Sequence, residues 1–382
     1  MAKPQRDPGL KYNRIVAKLG TNVLTAGTDQ LDVPQITALA AQISELHGRG
    51  AQVLIVTSGA IAAGRHRLGM KDPRQDRKDI PIRQVLAAIG QSDLMQVYQE
   101  LFQRHGITVA QTLLTRRDLS DRLGYLNARN TLLAMLELRV IPVINENDVV
   151  ASDEIEGAKI GDNDNLSALV ANLVDADLLA LLTDTGGLYT ADPRTNPTAE
   201  LLPRVDRIDA SIEALAGESQ SPLAVGGMAT KVQAAKLATG GGTDMYIAAG
   251  HEPDILVRLA SGDSVGTYFP ATGDRMESRR RWMLAGLSVK GSIVVDEGAA
   301  RAMREKRTSL LPAGVKEVQG VFQRGDAVNV IDATGARVAC GIANYTAEEI
   351  LRIRGVRSDR IEEVLGHHYG GEVIHRDNLV LL

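Results

Sequence analysis

Between residues 13 and 270, short aliphatic and β-branched runs alternate with longer stretches whose apolar positions recur at helical spacing. The runs 14–19, 52–57, 108–113, 140–144, 178–183 and 245–248 read as strands, and 34–48, 84–104, 123–138, 166–174 and 229–239 as helices. The strands are nearly continuously apolar rather than alternating, which is the pattern of a sheet covered on both faces. The expectation is an α/β fold, a mainly parallel sheet sandwiched by helices. Pro142 lacks the N–H that a ladder needs, so it predicts a bulge or an edge position within 140–144.

The texture changes after Pro270. The stretch to Trp282, with Gly273, Asp274 and the run Arg279-Arg280-Arg281, reads as a polar linker. Short alternating runs follow at 292–295, 320–322, 327–331 and 337–341, separated by turn residues, and predict a small β-rich domain. The expected division is a domain over 1–272, a linker over 273–287 and a β-rich domain over 288–382.

Composition narrows the function classes. A chain of 382 residues has room for two or three domains. Its net charge of −4 argues against nucleic acid as the main partner. The single cysteine, Cys340, excludes an intrachain disulfide and a thiolate zinc cluster. Residues 1–8 are polar, with no apolar core of the kind a signal peptide carries. The most apolar stretch, 166–182, is broken by Asn172, Asp175 and Asp177, so no membrane span is expected and the cytoplasm is the expected compartment.

The candidate chemistry centres on Gly161-Asp162-Asn163-Asp164-Asn165. Carboxylates this crowded are costly unless cations or donors gather around them. A second cluster, Asn145-Glu146-Asn147-Asp148, ends the strand-like run at 140–144. Part of this is turn chemistry, with Asn165 or Asp164 a candidate cap for the helix at 166–174. A calcium loop fits poorly, because its spacing would put a ligand at Leu166 and a glycine at Ser167.

Four glycine-bearing turns accompany the predicted strands. Lys18-Leu19-Gly20-Thr21-Asn22 closes the first strand, with a lysine beside backbone N–H groups able to meet an anion. Thr57-Ser58-Gly59-Ala60 closes the second; the Gly-x-Ser-x-Gly spacing is missing, so Ser58 reads as a binding hydroxyl, not a nucleophile. Leu182-Thr183-Asp184-Thr185-Gly186-Gly187, continuing to Pro193, ends the fifth strand, where open α/β sheets bind ligands. Val225-Gly226-Gly227-Met228-Ala229-Thr230-Lys231 opens a helix whose first N–H groups can meet a phosphate. Together they suit phosphoryl transfer to a carboxylate, an acceptor already ionised at neutral pH and in need of no general base. The obstacle is repulsion between two anions, about 4 kcal/mol per unit charge pair at 4 Å and an effective dielectric near 20. Two lysines and a magnesium ion carried by the nucleotide would offset it.

These motifs resemble the glutamate 5-kinases (gamma-glutamyl kinases), a branch of the amino-acid kinase family. The residues that carry the likeness are Lys18-Leu-Gly-Thr, Thr57-Ser-Gly-Ala-Ile-Ala-Ala-Gly, Asn145-Glu-Asn-Asp, Gly161-Asp-Asn-Asp-Asn-Leu-Ser, Leu182-Thr-Asp and Gly226-Gly-Met-Ala-Thr-Lys. Markers of the tail, Val295-Asp-Glu-Gly-Ala, Ser309-Leu-Leu-Pro-Ala-Gly-Val and Gly325-Asp, resemble the carboxy-terminal PUA domain of the same enzymes. The resemblance implies an amino-acid kinase fold with a PUA-like β domain. It implies that Lys18 and Lys231 stabilise the transferring phosphoryl group and that Asp164 orients them. It further implies that Ser58, Asp148 and Asn163 bind L-glutamate. ATP would be held by Lys18, Gly20, Thr183, Asp184, Val225, Gly226, Gly227, Met228, Ala229, Thr230 and Lys231. Mg2+ would arrive on the nucleotide phosphates, with no protein ligand assigned. The implied product is L-glutamyl 5-phosphate, the first step of proline biosynthesis, with feedback inhibition by proline, and a homo-oligomer is expected.

Asn22 and Ala229 stand where the family's motifs often have serine. Kinases of N-acetylglutamate, aspartate, carbamate or nucleoside monophosphates share the glycine turns and lysines, but the two Asn/Asp clusters and the β domain speak against them. A nucleotide sensor would not need both lysines. An RNA-binding role through the PUA-like tail and Arg279-Arg280-Arg281-Trp282 runs against the net negative charge. His367-His368 is a weak metal motif.

Overall fold

A computed structural model describes residues 7–28, 30–70, 79–151, 163–217, 227–273 and 289–381. Contacts divide the chain into two compact units, Met1–Leu119 with Ala128–Arg275, and Ser120–Asn127 with Met276–Leu382. Nearly all of the expected linker lies outside the described residues.

Among the described residues, the first unit holds a seven-stranded sheet in the order β3-β4-β2-β1-β5-β6-β7. The strands are β1 (Arg14–Leu19), β2 (Gln52–Thr57), β3 (Val109–Leu114), β4 (Ile141–Glu146), β5 (Leu178–Thr183), β6 (Asp244–Ala249) and β7 (Thr267–Phe269). All pair in parallel except β7, which closes the edge antiparallel to β6. The helices are α1 (Thr21–Thr25), α2 (Val33–Gly48), α3 (Ala60–Arg67), α4 (Ile80–Gln103), α5 (Arg116–Ser120), α6 (Arg122–Glu137), α7 (Asn163–Leu173), α8 (Ala210–Gly217), α9 (Met228–Gly240) and α10 (Ile255–Ser261). Asp32 and Asp79 cap α2 and α4 by accepting from Gln35 N and Ile82 N, each followed within two residues by a proline suited to a first turn.

The central strands are apolar for the reason the sequence suggests: every residue of β5 is buried. Ile15 and Leu19 of β1, Ile55 of β2 and Leu178 and Leu182 of β5 pack with Ile36, Leu39 and Ile43 of α2 and Tyr98 and Phe102 of α4. The parallel sandwich matches the expected fold. At Pro142 the expectation needs correcting. β4 is neither an edge nor bulged, since it pairs with β3 continuously from Ile141 to Glu146. The proline is tolerated because β2 pairs only with Val143 and Ile144, so at Pro142 one side of the strand is unpaired.

The second unit is built on a five-stranded sheet, β12-β11-β10-β8-β9, among the described residues. Its strands are β8 (Gly291–Val295), β9 (Val315–Gly320), β10 (Ala327–Ile331), β11 (Arg337–Ile342) and β12 (Leu379–Leu381). Ile293, Val328, Val330, Tyr345 and Ile350 lie in its core. The strand expected at 320–322 is instead the end of β9: Gly320 has φ +89, which turns the chain, and Phe322 drops into the core beyond it. A helix over Ala347–Ile353 starts with a reciprocal capping box between Thr346 and Glu349.

Candidate active site

In the first unit, Lys18, Ser58, Asn145 and Thr183 come from the carboxyl ends of four neighbouring strands, β1, β2, β4 and β5. The chain builds outward from β1 on one side and then crosses to β5 on the other, so the ends of β1 and β5 flank a topological switch point, the usual ligand crevice of an open α/β sheet.

Helix α7 brings the acidic run to this edge. Its first residues are Asn163, Asp164 and Asn165, all at most 5% exposed. The expectation that Asp164 or Asn165 caps a helix over 166–174 is therefore corrected, because both lie inside the first turn. Successive helical residues point about 100° apart, so the two carboxamides and the carboxylate reach three different places. Asn165 donates to Gln233 Oε1 on α9 at 3.1 Å. Gly161 and Asp162 lie outside the described residues.

Asp164 holds a charge cluster. Lys18 Nζ lies 2.5 Å from Oδ1, and Lys231 Nζ lies 3.1 Å from Oδ2. The single Thr230 hydroxyl hydrogen has two acceptors in reach, Oδ2 at 2.9 Å and Gly227 O at 2.8 Å. Gly227 is the N-cap residue of α9, so Met228, Ala229, Thr230 and Lys231 form its first turn, while Val225 and Gly226 lie outside the described residues. Burial alone would raise the Asp164 pKa, but the Lys18 and Lys231 charges, with the Lys18 and Thr230 hydrogen bonds, hold it well below the ordinary 3.8. Two ammonium groups thus meet one buried carboxylate.

Beside it lies a neutral cluster. Asn163 Nδ2, with two hydrogens to share, lies within hydrogen-bond distance of three acceptors, Thr57 O at 2.8 Å, Asn145 Oδ1 at 2.9 Å and Ser58 Oγ at 3.1 Å. Asn145 Oδ1 also accepts from Glu146 N, and its Nδ2 donates to Gln91 Oε1 on α4 at 2.8 Å. Ser58 N donates to Leu19 O at 3.2 Å, and Gly59, at φ +95, takes the left-handed conformation that turns β2 sharply into α3. Asp148 is half-buried in the turn directly after β4.

The third group is Thr183 and Asp184 at the end of β5. Burial would raise the Asp184 pKa, yet hydrogen bonds from Asn22 Nδ2 (2.9 Å) and Thr183 Oγ1 (3.0 Å) lower it. Asn22 is thus tied to Asp184 across the two strand ends. A cavity of about 470 Å³, of ligand size, opens here between Asn22, Asp32, Gln35, Thr183, Asp184 and His251. Its two carboxylates, Asp32 and Asp184, disfavour a phosphate against them. Gly20 N contacts Leu182 O at 3.4 Å and joins these strand ends to the first turn.

Residues 13–249 match the amino acid kinase family. The chain belongs to the amino acid kinase family. Residues 291–365 match the PUA domain. The glutamate 5-kinase of Dehalococcoides mccartyi (strain CBDB1) is 54% identical over 371 residues, covering 97% of this chain and 99% of that one. The glutamate 5-kinase of Herpetosiphon aurantiacus is 52% identical over 369 residues, covering 97% and 98%. That of Deinococcus radiodurans is 48% identical, covering 97% and 100%.

Within this member of the family, Lys18, Asp164, Thr230 and Lys231 meet directly, and Ser58 meets Asn163. Asn145 and Gln91 enter the same network without having been singled out as site residues; the Asn145-Glu-Asn-Asp cluster was a signal for the first, and nothing in the sequence marked the second. His367 pairs with Glu349 Oε1 at 2.9 Å, and among the described residues no group of three His, Cys, Asp or Glu could hold a metal. Among the described residues, no helix is long and apolar enough to cross a membrane.

Proposed function

We propose that this chain transfers the γ-phosphoryl group of magnesium-bound ATP to the side-chain carboxylate of L-glutamate, giving L-glutamyl 5-phosphate and ADP, the first step of proline biosynthesis. The observation that carries the reading is the buried Asp164 carboxylate set between Lys18 and Lys231 at 2.5 and 3.1 Å, beside the Ser58–Asn163 amide cluster. A carboxylate oxygen of glutamate attacks the γ-phosphorus, the bond from that phosphorus to the β,γ-bridging oxygen breaks, and ADP leaves with the electron pair. No proton is moved, in keeping with a site built from lysines and amides rather than from a general base. Asp164 fixes the two ammonium groups so that they need not reorganise as charge shifts onto the leaving oxygen. The identity with three glutamate 5-kinases over nearly the whole chain supports glutamate as acceptor.

Asn163, Ser58 and Asp148 would receive the glutamate backbone, with Asp148 facing the ammonium. Thr183, Asp184, Gly20 and the first turn of α9 would hold the nucleotide, and Mg2+ would ride on its phosphates. Proline inhibition, a cytoplasmic location and a homo-oligomeric state belong to the same proposal. The test is incubation with ATP, magnesium and hydroxylamine, comparing hydroxamate formed from glutamate, N-acetylglutamate and aspartate. Glutamate is expected to dominate; absence of a glutamate-dependent product would overturn the reading.

A further inference from the structure

The neutral cluster has a fixed polarity. Asn145 Oδ1 accepts from the backbone N–H of Glu146, and Asn163 Nδ2 donates to the backbone carbonyl of Thr57. Neither backbone group can exchange roles, so neither amide can be turned over. Asn145 must then offer its Nδ2 to Gln91, and Gln91 must answer with Oε1. Among the described residues, one buried acceptor and one buried donor are left without a partner at the two ends, Asn163 Oδ1 and Gln91 Nε2. Native folds seldom leave such groups unsatisfied.

Gln91 is only 9% exposed, and Asn145 and Asn163 link it to Ser58. A Cβ on Gly90 would sit 1.8 Å from Ala60 O, and one on Gly64 would sit 2.0 Å from Leu86 O. Helices α3 and α4 therefore cross in backbone contact, with Gly90, the neighbour of Gln91, against Ala60, two residues after Ser58. An α-amino acid has the complementary pair of groups, an ammonium donor and a carboxylate acceptor. The reacting carboxylate belongs on the Asp164 side of α7 with the lysines, so the carboxylate near Gln91 is the other one.

We propose that Gln91 is a glutamate-binding residue, its Nε2 donating to the α-carboxylate of the acceptor while its Oε1 holds Asn145 and, through it, Asn163. This rests on the functional reading above. The substitution Gln91→Glu keeps an oxygen for Asn145 but turns the free donor into a charged acceptor that repels an α-carboxylate, so the readout that a merely structural role would not move is a shift of preference from the acid to its α-amide. The expected result is a KM for glutamate raised about tenfold or more, the scale of a hydrogen bond to a charged group, with the KM for ATP unchanged and the loss on KM rather than kcat. The preference should also shift toward glutamate α-amide, whose NH2 can donate to the new carboxylate. A wild-type glutamate KM in a variant of wild-type thermal midpoint, or no shift toward the α-amide, overturns the proposal. Should Gln91→Glu fail to fold, Gln91→Met carries the test: the same rise in glutamate KM is expected, and an unchanged KM overturns it. If the wild-type protein makes no glutamyl hydroxamate, the functional reading itself fails, which is distinct from normal wild-type activity with an indifferent Gln91→Glu.

Discussion

Two clusters share the first turn of α7 and differ in kind. Asp164 gathers charge: two lysines and a threonine from β1 and α9 converge on one carboxylate. Asn163, its neighbour in sequence, gathers neutral dipoles: a backbone carbonyl, a serine hydroxyl and a chain of amides from β2, β4 and α4. The charged cluster suits a reaction in which charge migrates. The neutral one suits recognition, where each donor or acceptor accepts one kind of partner and rejects the other. The helical step of about 100° per residue separates the two tasks.

The sharpest way to break this contrast is Asp164→Asn. It leaves two ammonium groups facing each other in a site 1% exposed at the carboxylate. Removing one member of a buried charged set costs about 3–5 kcal/mol, against at most about 1 kcal/mol for an exposed pair. Denaturant unfolding of wild type and variant at pH 7 should show the larger figure; a loss below 1 kcal/mol would mean that the cluster is solvated and its preorganisation illusory. The pH dependence has a definite sign. The Asp164 pKa is lowered on folding, so its stabilisation is present above the ordinary 3.8 and is lost as pH falls below that value toward the depressed one. The gap between wild type and Asp164→Asn should narrow on acidification below about pH 4, and no narrowing would contradict the assignment.

Next in size is Lys231→Ala. Removing one preorganised cation from the developing charge is expected to lower kcat by about 10²–10³-fold. Glutamate KM should change little, because the neutral cluster is untouched and Lys18 still neutralises Asp164. Steady-state kinetics separate the two. A variant with normal kcat and raised glutamate KM would exchange the roles assigned to the two clusters.

The contrast also governs what could be read from the sequence. β1, β2 and β5 have the expected bounds, since each is an apolar run that stops at a polar residue or a glycine at the sheet's carboxyl edge. β4 runs two residues further, to Glu146, because its ladder with β3 continues after the apolar pattern stops. β7 escaped because three residues carry too little periodicity. Lys18, Asp164 and Lys231 were marked by charge at glycine turns and an acidic run, and resemblance supplied their roles. Gln91 had no such mark. A glutamine in an amphipathic helix reads as solvated surface, and only the backbone contact at Gly64 and Gly90 turns it inward.

The smallest effect tests where the neutral cluster ends. Tyr98 OH lies 2.8 Å from Thr57 Oγ1, and the phenol is 1% exposed, with burial pushing its pKa upward. Asn163, however, is held by the Thr57 carbonyl and not by its hydroxyl. Tyr98→Phe keeps the ring in the core and removes one buried hydrogen bond, while the Thr57 hydroxyl retains Ser58 O at 3.1 Å. Stability should fall by about 1 kcal/mol, with the KM for glutamate unchanged. A raised KM together with that small loss would show that the polarity of the acceptor pocket is set one shell deeper, from within the helix-covered core.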